Sequence, residues 1–196
     1  MNRTVTVALD AMGGDYGPAV VVNGAVQFFH ESPKSLRRDV KVILVGHRDT
    51  LSRMLSRAGG QKLPISIQHA SQVITMDDHP AEALKEKPDS SMLVMAGLQK
   101  KGVANAMVSP GNTGAMMAAS MFALGRIKGI PRPALASSIP TIGNPTILVD
   151  VGANVGCRPQ LLYKFAFMGS IYSKLVFGVD SPKVSLLNVG SEPSKG

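Results

Sequence analysis

The sequence has little of what several protein classes require. Of its 196 residues only Cys157 is a cysteine, which excludes an intrachain disulfide framework and a metal site built from several cysteines. It has no tryptophan and only 5% aromatic residues, a composition that disfavours stacking of single-stranded nucleic acid. No apolar run approaches the roughly 18 residues of a membrane span. Charged residues make up 17% and hydrophobic residues 44%, which excludes a disordered chain.

The charged residues that are present are mostly basic. Lys and Arg number 21 and Asp and Glu number 13, which gives a net charge of +8. This excess favours an anionic partner such as phosphate, nucleic acid, acidic lipid or an acidic protein, without choosing among them. The stretch 34–57 is especially basic and forms either a solvated face or a docking surface for an acidic partner. Its cations are Lys34, Arg37, Arg38, Lys41, Arg48, Arg53 and Arg57.

Predicted strands and helices alternate along the chain. Apolar or β-branched runs predict strands over 4–10, 41–46, 65–69, 104–109, 134–139, 146–151 and 183–189. Helical spacing, prolines and glycines predict helices that begin at 18 and 80 and that span 48–58, 91–101, 112–124 and 159–176. The alternation predicts an α/β fold with helices on both faces of a sheet, formed by residues 1–196 as a single domain. Because no helix follows the last predicted strand, we expect the chain to be part of a longer protein.

Three loops that follow predicted strands combine glycine with Asp, Asn or Ser. They span residues 10–15, 109–114 and 150–156. In open α/β sheets, ligands bind beyond the carboxyl ends of the strands, so we expect these loops to converge on one site.

The loop 109–114 carries the most specific pattern. Gly111 and Gly114 allow the backbone to approach a ligand, and the N–H groups at the start of the following helix favour an anion. Asn112 and Thr113 add side-chain donors. The glycine spacing is neither that of a Walker loop nor G-x-G-x-x-G. The alternative is an ordinary tight turn in which Asn112 caps the helix.

The other two loops leave two interpretations each. Asp150 can orient a substrate or cap a turn. Asp10 and Asp15 flank a glycine pair and form either a Mg²⁺ site or, as the favoured alternative, loop structure. Cys157 follows the third loop, but no histidine is adjacent in sequence, so a buried bystander thiol is favoured over a nucleophile.

Six motifs occur in a fixed order along the chain. They are Asp10-Ala11-Met12-Gly13-Gly14-Asp15, Lys87-Pro88-Asp89-Ser90-Ser91-Met92, Ser109-Pro110-Gly111-Asn112-Thr113-Gly114-Ala115, Arg132-Pro133-Ala134-Leu135, Asp150-Val151-Gly152-Ala153-Asn154, and Asn188-Val189-Gly190-Ser191-Glu192 with Lys195-Gly196. From about Val5 to its last residue, the chain resembles the PlsX family, the bacterial acyltransferases that use acyl carrier protein and phosphate in phospholipid synthesis. Two positions depart from the family pattern: Pro110 replaces a small residue, and Gly156 replaces an acidic one. Family members are considerably longer, so the resemblance implies a chain that lacks the family's C-terminal part.

The resemblance implies a fold, a reaction and a site. The fold is a three-layer α/β/α doubly wound sheet like that of isopropylmalate dehydrogenases and phosphotransacetylases. The reaction moves a fatty acyl group from acyl carrier protein to inorganic phosphate, which is itself the nucleophile, with no cofactor or metal. The implied catalytic residues are Asn112, Asn154, Lys195 and Asp150. The implied phosphate- or substrate-binding residues are Gly111, Thr113, Gly114, Asp10, Gly13 and Gly14.

The resemblance also implies a cellular setting. Acyl carrier protein and inorganic phosphate are the expected partners, together with a second copy of the chain as a homodimer and a membrane glycerol-3-phosphate acyltransferase downstream. The location would be cytoplasmic, with peripheral contact at the inner face of the membrane. Three alternatives stay open: a phosphate acyltransferase that uses acyl-CoA, a dehydrogenase, and a non-catalytic nucleic-acid-binding domain. Donor preference, NAD binding and a steeply salt-dependent affinity for DNA would distinguish them.

Overall fold

The computed structural model describes residues 4–154, 156–188 and 190. The chain falls into two compact units, Met1–Gly125 and Arg126–Gly196. The assignment of 1–196 to a single domain stays a prediction.

The first unit is built on a parallel sheet of four strands. These are β1 (Val5–Asp10), β2 (Val40–Gly46), β3 (Ile65–His69) and β4 (Ala106–Val108), in the spatial order β3-β2-β1-β4. The chain moves outward from β1 through β2 to β3 and then returns to the other side of β1. This reversal of direction between β1 and β4 is the mark of a doubly wound sheet, and ligands bind at such a point.

Six helices connect and cover these strands. They are α1 (Pro18–Glu31), α2 (Lys34–Arg37), α3 (Arg48–Arg57), α4 (Pro80–Glu86), α5 (Ser91–Lys100) and α6 (Thr113–Leu124), with a short 3₁₀ turn at Gly60–Lys62. Five of them were predicted from prolines at the helix start, apolar spacing and terminal glycines. The single-turn helix α2 was not, because four residues cannot show a helical period.

Alternating side chains of the strands bury both faces of the sheet. Leu44 of β2 packs with Val22 of α1 and Leu51 of α3, and all three are fully buried. Val45, the next residue, belongs to the opposite face and to a core with Met95 of α5. Each such side chain stabilises the fold by about 1.5–3 kcal/mol through its burial. Helices thus cover the sheet on both sides, and the predicted three-layer α/β/α fold is confirmed.

The second unit contains a strand pair and a long helix. Strands β5 (Ala136–Ile139) and β6 (Thr146–Val149) pair antiparallel, and α7 (Pro159–Phe177) packs on β6. Gly169 lies at this contact, where an added Cβ would come within 3.0 Å of a methyl group of Val149. Among the described residues, no helix is long and apolar enough to cross a membrane.

The strand predicted over 183–189 is wrong for its described residues. Residues 183–188 form no strand, and Leu186 and Leu187 are 73% and 82% exposed. A strand needs a neighbour that accepts and donates its backbone hydrogen bonds. The described part of the chain supplies no neighbour for this segment, and Val189 lies outside the described residues.

Candidate functional site at the switch point of the sheet

The reversal of strand order places two of the predicted loops side by side. Asp10 ends β1, and Ser109 follows β4, the strand that pairs with β1. The hydroxyl of Ser109 donates a hydrogen bond to Oδ2 of Asp10 over 2.7 Å. We call the residues of these two loops, 10–15 and 109–114, the switch-point site.

Glycines allow the two loops to touch through their backbones. A Cβ added to Gly13 would lie 3.0 Å from Cα of Gly111 and 2.6 Å from Oδ2 of Asp10. A Cβ added to Gly111 would lie 2.8 Å from Cε of Met92 and 3.3 Å from Cα of Gly13. Both positions therefore exclude a side chain because of close packing within the protein, and the predicted approach of Gly111 and Gly114 to a ligand stays a prediction.

Asp10 is a tie between the loops. Its Oδ1 accepts hydrogen bonds from the N–H groups of Met12 and Gly13, each at 3.1 Å, while Oδ2 accepts from Ser109. The side chain is 1% exposed, and hydrogen bonds offset the cost of burying its charge. These contacts give Asp10 a positioning role, and its direct contact with phosphate stays a prediction.

Asn112 caps helix α6. Its Oδ1 accepts from the N–H of Ala115 at 3.0 Å, so the alternative of a helix cap is confirmed. Its Nδ2 lies 3.1–3.3 Å from the carbonyl oxygens of Thr75, Met76 and Asp78. The buried amide thus fastens α6 to the segment 75–78. A catalytic role for Asn112 stays a prediction.

The first turn of α6 presents backbone donors. The N–H groups of Thr113 and Gly114 have no acceptor among the described residues. Thr113 is exposed, so its hydroxyl faces solvent, and the first turn holds no acidic side chain. The partial positive charge at the start of a helix adds to these donors. This geometry suits an anion.

The sequence did not predict the hydrogen bonds that Asp78 and Asp89 accept near this site. Asp78 accepts hydrogen bonds from Lys87 and from the N–H of Thr75, and these contacts, that with Lys87 first, lower the pKa of Asp78 below its ordinary 3.8. Asp89 accepts from the hydroxyl and N–H of Ser71 at 2.6 and 2.8 Å, which lowers its pKa in the same way. The motif at 87–92 thus holds the backbone that receives Asn112. Lys87 and Asp89 belong to one of the six sequence motifs, whereas Asp78 belongs to none of them.

The third predicted loop, 150–156, lies in the second unit, and the side chain of Asp150 accepts hydrogen bonds from the loop's own backbone. Asp150 has a positive φ of 34° and accepts from the N–H groups of Ala153 and Asn154, each at 3.0 Å. The alternative of a turn cap is therefore confirmed. Nδ2 of Asn154 donates to the carbonyl oxygen of Pro133 at 2.9 Å, which joins two of the motifs. Convergence of all three loops stays a prediction, and Lys195 lies outside the described residues.

The aspartates considered for Mg²⁺ have different surroundings. Both oxygens of Asp10 accept from donors of the protein, whereas Asp15 is exposed. Within the described ranges, no group of three or more His, Cys, Asp or Glu side chains is placed to hold a metal ion. Cys157 is partly buried.

Comparison with known proteins assigns the chain to a family. The family model described as "Fatty acid synthesis protein" matches residues 5–196. The chain belongs to this family. The predicted resemblance is thereby confirmed, and the family's model reaches across both units of the chain.

Curated relatives agree with this assignment. The chain is 45% identical over 190 residues to a phosphate acyltransferase from Desulfitobacterium hafniense, a match covering 97% of this chain and 55% of the relative. It is 45% identical over 194 residues to a phosphate acyltransferase from Desulforamulus reducens, covering 98% of this chain and 56% of the relative. The chain therefore spans a little over half the length of these relatives.

A solved structure supports the fold alone. The EutD phosphotransacetylase from Staphylococcus aureus aligns with a TM-score of 0.64 at 19% identity. The alignment covers 96% of this chain and 59% of that chain.

Proposed function

We propose that this chain forms the phosphate-binding part of an enzyme that transfers a fatty acyl group from acyl carrier protein to inorganic phosphate. The observation that carries the proposal is the pair of unpaired N–H groups of Thr113 and Gly114, set beside the contact of Gly13 with Gly111. Membership of the family and the name of the relatives, phosphate acyltransferase, support the reaction class.

The reaction asks for positioning of an anion and for no protein nucleophile. An oxygen of phosphate attacks the thioester carbonyl carbon, the C–S bond breaks, and the thiolate leaves and takes up a proton. The products are an acyl phosphate and a free thiol. The protein must hold phosphate in line with the carbonyl group and stabilise the oxyanion that forms. The first-turn N–H groups of α6 serve the first task, while Asp10, Ser109 and Asn112 hold their loop in place.

Asn154, Asp150 and Lys195 are the residues to which the proposal gives the stabilisation of the oxyanion. The amide of Asn154 uses one hydrogen on Pro133 and has a second hydrogen for a carbonyl oxygen. Asp150 orders the loop that carries Asn154. Lys195 would neutralise the charge on phosphate or on the oxyanion.

The same proposal includes the partners. The excess of basic residues suits acyl carrier protein, which is acidic. The full-length enzyme would act as a homodimer in the cytoplasm, in peripheral contact with the inner face of the membrane, and would pass acyl phosphate to a membrane glycerol-3-phosphate acyltransferase.

Trapping with hydroxylamine tests the reaction. The chain and a version extended to the length of its relatives are incubated with palmitoyl-acyl carrier protein and inorganic phosphate. Phosphate-dependent hydroxamate from the longer protein supports the proposal, and its formation by the 196-residue chain as well would place the essential groups within this sequence. Product with palmitoyl-CoA but not with palmitoyl-acyl carrier protein would identify acyl-CoA as the acyl donor. No product from either folded protein with either donor would refute the proposal.

A single substitution tests the site itself. Proline is well tolerated at the first position of a helix, and Asn112 has ψ 111°, which lies outside the α region that a following proline disfavours. Thr113→Pro therefore removes one N–H donor and leaves α6 intact, whereas Thr113→Ala removes only the hydroxyl. We expect Thr113→Pro to lower kcat/KM for phosphate by about 10- to 100-fold, as for a lost hydrogen bond to a charged group. Equal effects of the two variants on kcat/KM would show that the N–H group of Thr113 does not bind phosphate.

A further inference from the structure

A second set of cationic side chains lies at the same edge of the sheet, apart from the switch-point site. They surround an open cavity of about 480 Å³ at the carboxyl ends of β2 and β3. The lining residues are His47, Arg48, Asp49, Thr50, Arg53 and His69. We call this the β2–β3 cavity. The function proposed above gives these residues no individual role.

The lining is rich in hydrogen-bond donors. The N–H of Arg48 donates to Nδ1 of His69 over 3.3 Å, so the hydrogen of this imidazole is on Nε2, which is then a donor. The lining contains two guanidinium groups, of Arg48 and Arg53, and one carboxylate, of Asp49. A guanidinium group matches the geometry of phosphate oxygens and keeps its charge at all relevant pH values. The cavity therefore suits a phosphoryl group.

The β2–β3 cavity adjoins the loop that carries Gly13. Strand β2 pairs with β1 along its length, at the usual spacing of about 4.8 Å between strands. Met12 packs on Gly46 so closely that a Cβ at Gly46 would meet Cγ of Met12 at 2.4 Å. The residue after Gly46 is His47 of the cavity. The cavity and the switch-point site therefore lie at the ends of neighbouring strands, an arrangement that an elongated ligand would need in order to occupy both.

We propose that the β2–β3 cavity binds the phosphoryl group of a phosphopantetheine arm, the carrier of the acyl thioester. This inference rests on the proposed function, which requires such a thioester at the switch-point site. The arm occurs both on acyl carrier protein and in coenzyme A, and the phosphoryl group next to pantetheine is common to the two. Asp49 is the carboxylate among the lining residues of the cavity, and its charge opposes the binding of the anion.

Calorimetry with this chain tests the proposal. The ligands are 4′-phosphopantetheine and pantetheine, which differ only in the phosphoryl group. The variant Arg53→Gln removes a cavity cation, and Arg57→Gln is its matched control, because Arg57 is an exposed residue of the same helix that does not line the cavity. We expect 4′-phosphopantetheine to bind about tenfold more weakly to Arg53→Gln and unchanged to Arg57→Gln. Asp49→Asn should bind it more tightly.

The two sources of the arm are separated with holo- and apo-acyl carrier protein and with coenzyme A. Tighter binding of holo- than of apo-acyl carrier protein, with the difference lost in Arg53→Gln, would identify the arm of the carrier protein as the ligand of the cavity. A loss of affinity in Arg53→Gln seen with coenzyme A alone would identify coenzyme A as that ligand. Equal binding of pantetheine and 4′-phosphopantetheine, or equal losses of 4′-phosphopantetheine affinity in Arg53→Gln and Arg57→Gln, would overturn the proposal. If hydroxamate still forms in that case, the proposed function stands. Phosphoryl-dependent binding without any hydroxamate from the full-length protein would refute the function and leave the cavity assignment.

Discussion

Replacing Gly13 with alanine should drive the two loops of the switch-point site apart. Its φ lies outside the left-handed region, so the effect of a methyl group at this position is one of packing alone. The added Cβ would lie 2.6 Å from Oδ2 of Asp10 and 3.0 and 3.1 Å from Cα and N of Gly111. Contacts of 2.6 Å are essentially never seen for a real Cβ, and the two neighbours at 3.0 and 3.1 Å belong to backbone that cannot rotate away. We therefore expect the loops to separate by a few tenths of an ångström.

The expected cost follows from overpacking of a buried site. Such substitutions typically destabilise a protein by about 1–3 kcal/mol. For a chain of this size, each kcal/mol corresponds to a change in Tm of about 2–4 °C. Gly24→Ala is the matched control, because Gly24 is an exposed residue of α1 with nothing within 4 Å of an added Cβ. In a helix interior the same change stabilises by about 0.5–1 kcal/mol.

Urea unfolding and phosphate binding measure the two consequences of Gly13→Ala. We expect a lower free energy of unfolding and a weaker affinity for inorganic phosphate, while Gly24→Ala gains stability and keeps the affinity. A Gly13→Ala variant with the stability and phosphate affinity of the unsubstituted chain would refute the close contact of Gly13 with Gly111.

Two further predictions concern the groups beneath the site. Asn112→Ala should destabilise the chain by about 1–2 kcal/mol because it removes the cap of α6, whereas Ser90→Ala should be neutral or stabilising, since the Ser90 hydroxyl is buried without a partner among the described residues. Equal losses in urea unfolding would contradict this difference. The pKa values of Asp78 and Asp89 lie below the 3.8 of the unfolded chain, so the stability that these carboxylates supply is present above pH 3.8 and is lost as pH falls further. The free-energy difference between the unsubstituted chain and the double variant Asp78→Asn/Asp89→Asn should therefore shrink below pH 3.8; a difference independent of pH would contradict the cited contacts.

Much of the first unit could be predicted because its strands and loops carry strong local signals. The run 41–46 is apolar after Lys41 and requires cover on both faces, and the structure places 42–46 in β2 between two layers of helices, with Lys41 exposed. The loops 10–15 and 109–114 combine glycines with polar side chains just after a strand. Their meeting at one point depends on strand order, which alternation suggests but local sequence does not determine.

The roles of individual polar residues could not be predicted in this way. Asn112 is equally suited to cap a helix and to bind a substrate, and only its contact with 75–78, far away in sequence, shows how its amide is used. For Asp10 the sequence left a Mg²⁺ site and loop structure open, and the fold surrounds its carboxylate with donors of the protein. Long-range contacts decide such cases.

In the second unit, one feature could have been predicted from the sequence and another could not. The connection 140–145 is too short for a parallel crossover, which needs a dozen or more residues, so the antiparallel pairing of β5 and β6 was open to prediction. For 183–188 the composition favours a strand, but a strand forms only where a neighbouring backbone completes its hydrogen bonds.

Phosphate titration of the ¹⁵N-labelled chain, followed through its amide resonances, tests the central claim most directly. The account predicts that the N–H resonances of Thr113 and Gly114 shift in one saturable process, and that Thr113→Pro weakens the phosphate affinity reported by Gly114. Saturable shifts elsewhere with those two resonances unmoved, or no saturable shift at all, would contradict the assignment of phosphate to the switch-point site.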